Sequence, residues 1–453
     1  MKTALFSALL TLLGGAGARA DELPVPVRVE RLDNGLRVVM SPDHTAATVA
    51  VTVYYDVGSR NEEQGRSGFA HLFEHMMFQG SANVLKGEHF SLISSRGGSL
   101  NGTTSEDRTN YYETLPSNAL ELGLFLEADR MRSLAITQEN FENQRQTVME
   151  ERRQSYENRP YLLSFLERDR LFYQGYWPYE HSTIGDMADL QAASLDDVRN
   201  FHRRYYAPDN AVLSIAGDFD PDQALNLIRQ HFGPIAPQHA PAWSMPAYTP
   251  GTQEVTREIR DRLARAPAFH MAYHVPQRRH PDHYALDILA VILGGGESSR
   301  LYQELVKNRE ILSSIEVGAE DRRGPDIFAL WAVLSQGHTP AEARAVIDQQ
   351  IQNLITRGVS VRELEKARNQ YRQGFVFGLQ SNLARARRLA EHELYDGNAA
   401  LLRTELDRYL AVTAADVQRV ARTYLVNTNR TVLDVVPEAQ APRAPTANPA
   451  ASR

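Results

Sequence analysis

The stretch "SLDDVRNFHRRYYAPDNAVLSIAG", residues 194–217, decides the fold because its pattern occurs a second time. The second copy reads "TAADVQRVARTYLVNTNRTVLDVV" and begins at Thr413. Each copy opens with a hydroxyl residue and has Asp three positions later, Asp197 after Ser194 and Asp416 after Thr413. This spacing resembles a capping box, with Asp in place of the usual Glu. A helix, a turn and a β-rich run are predicted to follow in each copy.

The two copies stand near the ends of the two halves of the chain, which indicates an internal duplication. In the first half, "VPVRVERL", "LRVVMS" and "ATVAVTVYYDVG" are predicted strands around a turn at Asn34-Gly35. "ALELGLFLEADRMRSL" and "TQENFENQRQTVMEERRQSYE" have the period of helices. The second half repeats the mixture, with the strand "AFHMAYHVP" and the helix "DHYALDILAVIL". We therefore predict an α+β fold of two homologous sandwich domains, each with a mostly antiparallel sheet covered by helices.

The chain length and composition predict where these domains begin and end. A chain of 453 residues is too long for one ordinary domain. Five prolines in "GPIAPQHAPAWSMPAYTPGT", residues 233–252, favour a linker there. We predict a first domain over 21–235, a linker over 236–252 and a second domain over 253–437. The tail, 438–453, is rich in Pro and Ala and is predicted to be disordered.

The first twenty residues, "MKTALFSALLTLLGGAGARA", are typical of a signal peptide. A lysine precedes an apolar run that is too short to span a bilayer, and small residues end it. We expect cleavage after Ala20, export to the periplasm and no membrane span. The chain has no cysteine, which excludes disulfides and thiolate metal sites. Its net charge of -7 argues against a nucleic-acid partner, since proteins that bind nucleic acids are usually basic.

The stretch "GFAHLFEHMMFQGS", residues 68–81, carries the strongest chemical signal. On a helix, His71 and His75 share a face, so both imidazoles can bind one Zn²⁺ ion. Glu74 lies beside that face and can accept a proton from water. The alternative is a core helix with three polar groups, at a cost of about 1–3 kcal/mol for each group left unpaired. A bound metal removes that cost.

A catalytic zinc site needs a third protein ligand and one open position. The best source is "TVMEERRQSYE", in which Glu150 and Glu151 are adjacent. On a helix the two side chains point about 100° apart, so only one of them can face the site. The spacing does not choose between them. Most charges of this run are expected on a solvated helix face.

Three segments together resemble the M16 metallopeptidases: "GFAHLFEHMMFQGS", "NGTTSEDRTNYYETLP" and "NQRQTVMEERRQSYENRPY". The resemblance implies zinc ligands at His71 and His75, a general base at Glu74 and a third ligand at Glu151 rather than Glu150. It also implies two α+β domains around a chamber, in which a peptide binds as an added strand on a sheet edge. In "GGSLNGTTS", residues 97–105, it points to Asn101 as a substrate-binding residue, although an Asn before Gly is also typical of a turn.

The sequence departs from the family in two places. Residue 144, where many members have a Glu, is Gln144, which can form hydrogen bonds but cannot act as an acid. Active single-chain relatives carry an Arg and a Tyr in a later domain, and the aligned residues here are Val306 and Ser313. We therefore expect a heterodimer with a homologous subunit that lacks zinc and supplies the Arg and Tyr, with a homodimer as a further possibility. Arg300 is a candidate substitute for that Arg, but it precedes the expected position by six residues and is expected to pack or pair locally.

Two functions compete on this reading. The leading hypothesis is a zinc-dependent endopeptidase that hydrolyses peptides or unfolded protein segments as the catalytic subunit of that heterodimer. The alternative is a catalytically silent subunit that binds peptides or supports assembly. The complete set His71, Glu74, His75 and Glu151 disfavours a silent subunit. A purely structural zinc site is disfavoured because a fourth protein ligand is missing.

Overall fold

The computed structural model describes residues 25–241 and 243–438. The predicted signal peptide lies outside the described residues, as does the predicted tail except for Glu438. Among the described residues, no helix is both long and apolar enough to cross a bilayer.

The described residues form two β-sheets. The strands are β1 (Arg28–Arg31), β2 (Arg37–Pro42), β3 (Thr48–Tyr55), β4 (Ser99–Thr104), β5 (Thr109–Pro116), β6 (Ala211–Gly217), β7 (Val255–Asp261), β8 (Ala268–Val275), β9 (Leu312–Ala319), β10 (Asp326–Leu334) and β11 (Arg430–Pro437). The first sheet has the order β1-β2-β6-β3-β5-β4, and the second has the order β7-β11-β8-β10-β9. Only the pairs β2–β6 and β7–β11 are parallel among these strands. The predicted α+β class, with mostly antiparallel sheets, is confirmed.

Helices cover both sheets. The α-helices are α1 (Phe69–Met76), α2 (Glu88–Ser94), α3 (Leu120–Ser133), α4 (Gln138–Arg152), α5 (Leu162–Phe172), α6 (Trp177–Glu180), α7 (Met187–Ala192), α8 (Leu195–Tyr205), α9 (Pro221–Phe232), α10 (Pro281–Gly294), α11 (Pro340–Arg357), α12 (Val361–Gln380), α13 (Asn382–Asp396), α14 (Leu402–Ala411) and α15 (Ala414–Tyr424). The predicted helix over 137–157 ends as an α-helix at Arg152. It continues as a wider π-helical turn, Arg153–Glu157, in which Asn158 N–H donates to the Arg153 carbonyl.

The repeated pattern folds in the same way in both halves. Ser194 and Thr413 cap α8 and α15, and in each case the Asp at the third helical position bonds back to the cap. The strands β6 and β11 follow, and each lies inside its sheet. The side-chain amide of Asn210 bridges the carbonyls of Tyr205 and Asp56. Asn429 bridges the corresponding carbonyls of Tyr424 and His274, so the two copies share side-chain hydrogen bonds as well as elements.

One helix from each half packs against the sheet of the other half. Along β3, Val51 and Val53 face the main core of the first half, while Tyr54 faces the opposite side. Helix α13 of the second half covers that opposite side, where Leu389 packs with Tyr54. In return, the end of α5 and the residues after it pack against Ala272 of β8 and Ile327 of β10. The central strands β3, β6 and β8 are therefore buried on both faces, which agrees with their nearly continuous apolar sequences.

The predicted linker, 236–252, contains no helix or strand among its described residues. It is nevertheless packed, because the Arg60 guanidinium lies 4.3 Å from the centre of the Trp243 ring. The Tyr176 hydroxyl also donates to the Pro246 carbonyl. The domain boundaries given above stay predictions, and the exchange of α5 and α13 crosses them.

A buried ionisable cluster lies between α2, β5 and α3. Glu113 Oε2 is 3.4 Å from His89 Nε2, and Arg130 donates twice to the Glu127 carboxylate. Burial raises the pKa of Glu113 to about 8, and burial lowers the pKa of His89 to about 3. At neutral pH the cluster is thus a neutral acid, a neutral imidazole and one ion pair. Arg130 neutralises Glu127, so these side chains form a structural network without needing a metal ion.

We predict that Glu113→Gln changes the pH dependence of stability. The folded protein holds the Glu113 proton up to about pH 8, while the unfolded chain releases it near pH 4.3. Wild-type stability therefore falls as pH rises between these values, by at most about 1.4 kcal/mol per pH unit. The lowered pKa of His89 acts in the opposite direction, but only below about pH 6.5.

Urea unfolding between pH 6.5 and pH 8 checks this prediction. The stability of Glu113→Gln relative to wild type should rise by up to about 2 kcal/mol over this interval. Glu139→Gln, at an exposed position of α4, serves as the control. Parallel pH profiles for Glu113→Gln and wild type would contradict the assignment.

Candidate metal centre

The helix α1 presents the two histidines, and its start is fixed by contacts in the surrounding loops. Gly68 precedes the helix with φ 88°, and a Cβ there would lie 2.9 Å from Gly185 Cα. The position therefore requires glycine for both its backbone conformation and its close contact. The buried Glu62 carboxylate accepts the N–H groups of Gly68 and Ala70 at 2.8 and 2.7 Å. A carboxylate at a helix N-terminus satisfies free N–H groups and favours the helix dipole.

His71 and His75 lie one helical turn apart, with ring centres separated by 4.8 Å. The apolar neighbours Leu72, Phe73, Met76 and Met77 are buried in the main core of the first half. The helix is thus anchored by its apolar face and carries the histidines at the edge of the core.

The helix α4 brings Glu151 to the histidines. Glu151 Oε2 lies 3.3 Å from His75 Nε2 and 3.8 Å from His71 Nε2. Glu150 points elsewhere, and its exposed carboxylate accepts hydrogen bonds from Gln154 and Arg153. The geometry therefore separates two glutamates that spacing alone could not distinguish.

These three side chains fit a zinc ion. Their ligand atoms all lie within 4.8 Å of one another. Tetrahedral Zn²⁺ with nitrogen and oxygen ligands at about 2.0–2.2 Å places neighbouring ligand atoms about 3.3 Å apart. The His75–Glu151 distance already matches this value, and the His71–Glu151 distance needs only a small adjustment. Three ligands leave a fourth position open, as in catalytic zinc sites.

Gln144, about two turns of α4 before Glu151, contacts the His75 ring through its Nδ1. Gln144 Oε1 lies 3.3 Å from His75 Nδ1 and can accept a hydrogen bond from the Nδ1–H group. With its proton on Nδ1, the neutral His75 imidazole has an Nε2 lone pair that can bind a metal. His71 Nδ1 is buried and has no hydrogen-bond partner among the described residues.

The pKa shifts follow from burial and mutual charge. Burial, and then the neighbouring His75, lower the pKa of His71 to about 4, so its imidazole is neutral at neutral pH. Burial also lowers the pKa of His75, but the hydrogen bond and charge of Glu151 outweigh it and raise the pKa overall. The hydrogen bond from His75 lowers the pKa of Glu151. Burial raises the pKa of Glu74.

Glu74 lies beside the cluster and against strand β4. Its Oε2 accepts a hydrogen bond of 2.6 Å from the Thr104 hydroxyl. Asn101, on the same strand, is exposed, and its Oδ1 accepts the N–H of Gly102 at 2.9 Å. Because β4 is the last strand of its sheet, Asn101 lies on a free edge close to Glu74.

The registers of the two sheets identify the counterpart of this site in the second half. Gly102 on β4 and Val317 on β9 occupy the same place in their sheets. A Cβ on Gly102 would meet the Glu74 side chain, and a Cβ on Gly294 of α10 would meet Val317. Position 294 therefore corresponds to position 74.

The corresponding positions carry no side-chain ligand. Counting along α10 from Gly294 matches His71 with Val291 and His75 with Gly295. Counting from the helix caps Thr137 and Ser360 matches Glu151 with Gly374. The duplication has kept the framework of the metal centre in the second half and lost its ligands.

The structure also places the other predicted residues of the second half. Val306 lies in a π-helical turn, Tyr302–Asn308, and packs against the second core. Ser313 is exposed on β9 and donates to the Val333 carbonyl. Arg300 pairs with both oxygens of Glu363 and donates to the Gly358 carbonyl, so its expected local pairing is found.

Sequence reasoning missed Glu62 and Thr104. Glu62 caps α1 and contacts His181 at 3.0 Å, and Thr104 bonds to Glu74. Glu62 precedes the helix by several residues and Thr104 lies on another strand, so the local spacing gives no signal for either residue. The quoted segments contained Thr104, but nothing in them links it to Glu74.

Two family descriptions match successive parts of this chain. The family description "Insulinase (Peptidase family M16)" matches residues 37–176, and "Peptidase M16 inactive domain" matches residues 192–371. The second match covers the part that contains Val291, Gly294 and Gly295, where ligands are missing.

Similar proteins extend the comparison. Zinc protease PqqE of Helicobacter pylori is 30% identical over 444 residues, which cover 96% of this chain and 98% of that protein. A crystal structure of a protease from Helicobacter pylori has a TM-score of 0.85 and 28% identity, and it covers 91% of this chain and 100% of that chain. The periplasmic protease PqqL of Escherichia coli shares the fold, with a TM-score of 0.74 and 19% identity over 92% of this chain and 48% of that chain. With a relative matched along nearly its whole length and two family matches in order, this chain belongs to peptidase family M16.

Proposed function

We propose that the chain is the zinc-bearing subunit of an endopeptidase that hydrolyses peptides or unfolded protein segments. The observation that carries this proposal is the convergence of His71, His75 and Glu151, with Glu74 beside them. The names of its relatives as zinc proteases support the choice of metal. A Zn²⁺ ion held by these three residues would polarise the scissile carbonyl and activate water.

The chain's own residues have distinct tasks in this proposal. Glu74 takes a proton from the attacking water and later gives it to the leaving amine. The raised pKa of its buried carboxyl suits both transfers. Gln144 holds the His75 ring through Nδ1. The free edge of β4 binds the peptide as an added strand, with Asn101 contacting its backbone.

We further propose a homologous second subunit and a periplasmic location. Val306 and Ser313 cannot supply the Arg and Tyr that the family resemblance implies, so a partner subunit would supply them. PqqL supports this idea, because the present chain matches only 48% of its length. One PqqL chain is therefore long enough to contain two units of this size. PqqL is also periplasmic, which agrees with the signal peptide expected over residues 1–20.

Mixing the chain with its candidate partner tests the pairing. The zinc-loaded chain, beginning at Asp21, is assayed on internally quenched peptides with and without a candidate homologous subunit from the same organism. We expect weak hydrolysis by the chain alone and at least a tenfold gain on mixing. Full activity of the chain alone would refute the heterodimer. A zinc-loaded pair that cleaves no peptide would favour the catalytically silent subunit.

We predict that Glu74→Gln keeps the metal and loses turnover. Gln is close in size but cannot accept the proton, so kcat should fall by about 10²–10⁴-fold. Zinc content, measured by atomic emission, should remain at the wild-type level. Glu150→Gln is the matched control, because Glu150 points away from the site and should keep activity. Loss of zinc from Glu74→Gln would make the base assignment wrong.

We predict that Gln144→Leu weakens zinc binding by about 10–100-fold, because His75 loses the acceptor that orients its ring. Competition with a chromophoric chelator measures this affinity. Gln144→Glu keeps an acceptor oxygen and should retain tight binding. Equal affinity of Gln144→Leu and wild type would show that this contact has no role.

A further inference from the structure

Thr104 holds the carboxylate that the proposed mechanism uses as its base. The Thr104 hydroxyl donates to Glu74 Oε2 at 2.6 Å. A hydroxyl bonded to a carboxylate at this distance is a strong, charge-assisted hydrogen bond. Among the described residues, no other hydrogen bond to the Glu74 carboxylate is found. The remaining oxygen, Oε1, is therefore left to exchange protons.

A second feature of β4 serves the same carboxylate. A Cβ on Gly102 would lie 3.0 Å from Glu74 Cγ and 3.2 Å from its Oε1. Gly102 and Thr104 are two residues apart on a strand, so they face the same side. The strand thus leaves room for the Glu74 side-chain carbons at Gly102 and binds the Glu74 carboxylate at Thr104.

We propose that Thr104 is a positioning residue that fixes the Glu74 carboxylate for proton transfer. This inference rests on the proposed function. A Glu side chain has three rotatable bonds, and small misplacements of a reacting group can cost about 10²-fold in rate. The Thr104 bond fixes the last of these rotations, with Oε2 occupied and Oε1 free. Since β4 is also the proposed peptide edge, one strand sets the position of both the base and the substrate.

Paired substitutions test the role. Thr104→Val keeps the shape and removes the hydroxyl, whereas Thr104→Ser keeps the hydroxyl. We expect Thr104→Val to lower kcat at least tenfold with KM and zinc content unchanged, and Thr104→Ser to restore most of the rate. The control is Thr423→Val, because Thr423 is exposed on α15 of the second half and its hydroxyl donates to the Arg419 carbonyl of the same helix. Wild-type kcat in Thr104→Val, or equal losses in Thr104→Val and Thr104→Ser, would overturn the proposal.

Crystal structures of the zinc-loaded variants give a readout that does not depend on activity. In Thr104→Val the Glu74 carboxylate should leave the position seen in wild type, and in Thr104→Ser it should keep that position. An unmoved carboxylate in Thr104→Val would overturn the inference even if the wild type proved inactive. An inactive, zinc-loaded wild type in complex with its partner would instead overturn the proposed function.

Discussion

The structure depends on one constraint: two imidazoles and a carboxylate must meet where α1 faces α4. Isolated buried polar groups of this kind are unfavourable, so the two helices have to be held in place from outside. The segment 181–189 does this for both helices. His181 contacts Glu62 at the start of α1, Gly185 packs on Gly68, and the Gly185 carbonyl accepts the Arg152 guanidinium at the end of α4. Glu151 is next to Arg152 in the sequence, so these contacts of segment 181–189 fix the positions of all three candidate ligands.

The two halves share a framework, but the candidate ligands occur in the first half only. Both halves share a five-strand order, to which the first sheet adds β1 at one edge. Each half also has a capped helix before its last strand and packs one helix against the sheet of the other half. The framework can therefore be maintained by packing in both halves. At the ligand positions the second half carries Val291, Gly295 and Gly374, which leaves it free of the cost of burying histidines and glutamate. Stability depends on the shared framework, and the candidate chemistry depends on the first half.

Sequence patterns predicted what depends on local spacing. The strand β3 and the shared face of His71 and His75 follow from periods of two and 3.6 residues. The caps Ser194 and Thr413 follow from an Asp three positions later. The exchange of α5 and α13 could not be predicted, because both helices are apolar on one side and the sequence does not say which sheet they cover. The choice of Glu151 needed the family resemblance, and the geometry then agreed with it. Thr104 and Glu62 stayed hidden because each acts on a residue that only the folded chain brings near.

The most direct measurement of the central claim is anomalous diffraction at the zinc edge from crystals of the zinc-loaded protein. The account predicts one strong peak per chain, bonded to His71 Nε2, His75 Nε2 and a Glu151 oxygen, with Glu74 next to it but not bonded. A peak at another position, a peak bonded to Glu150, or no peak at full zinc loading would contradict the account.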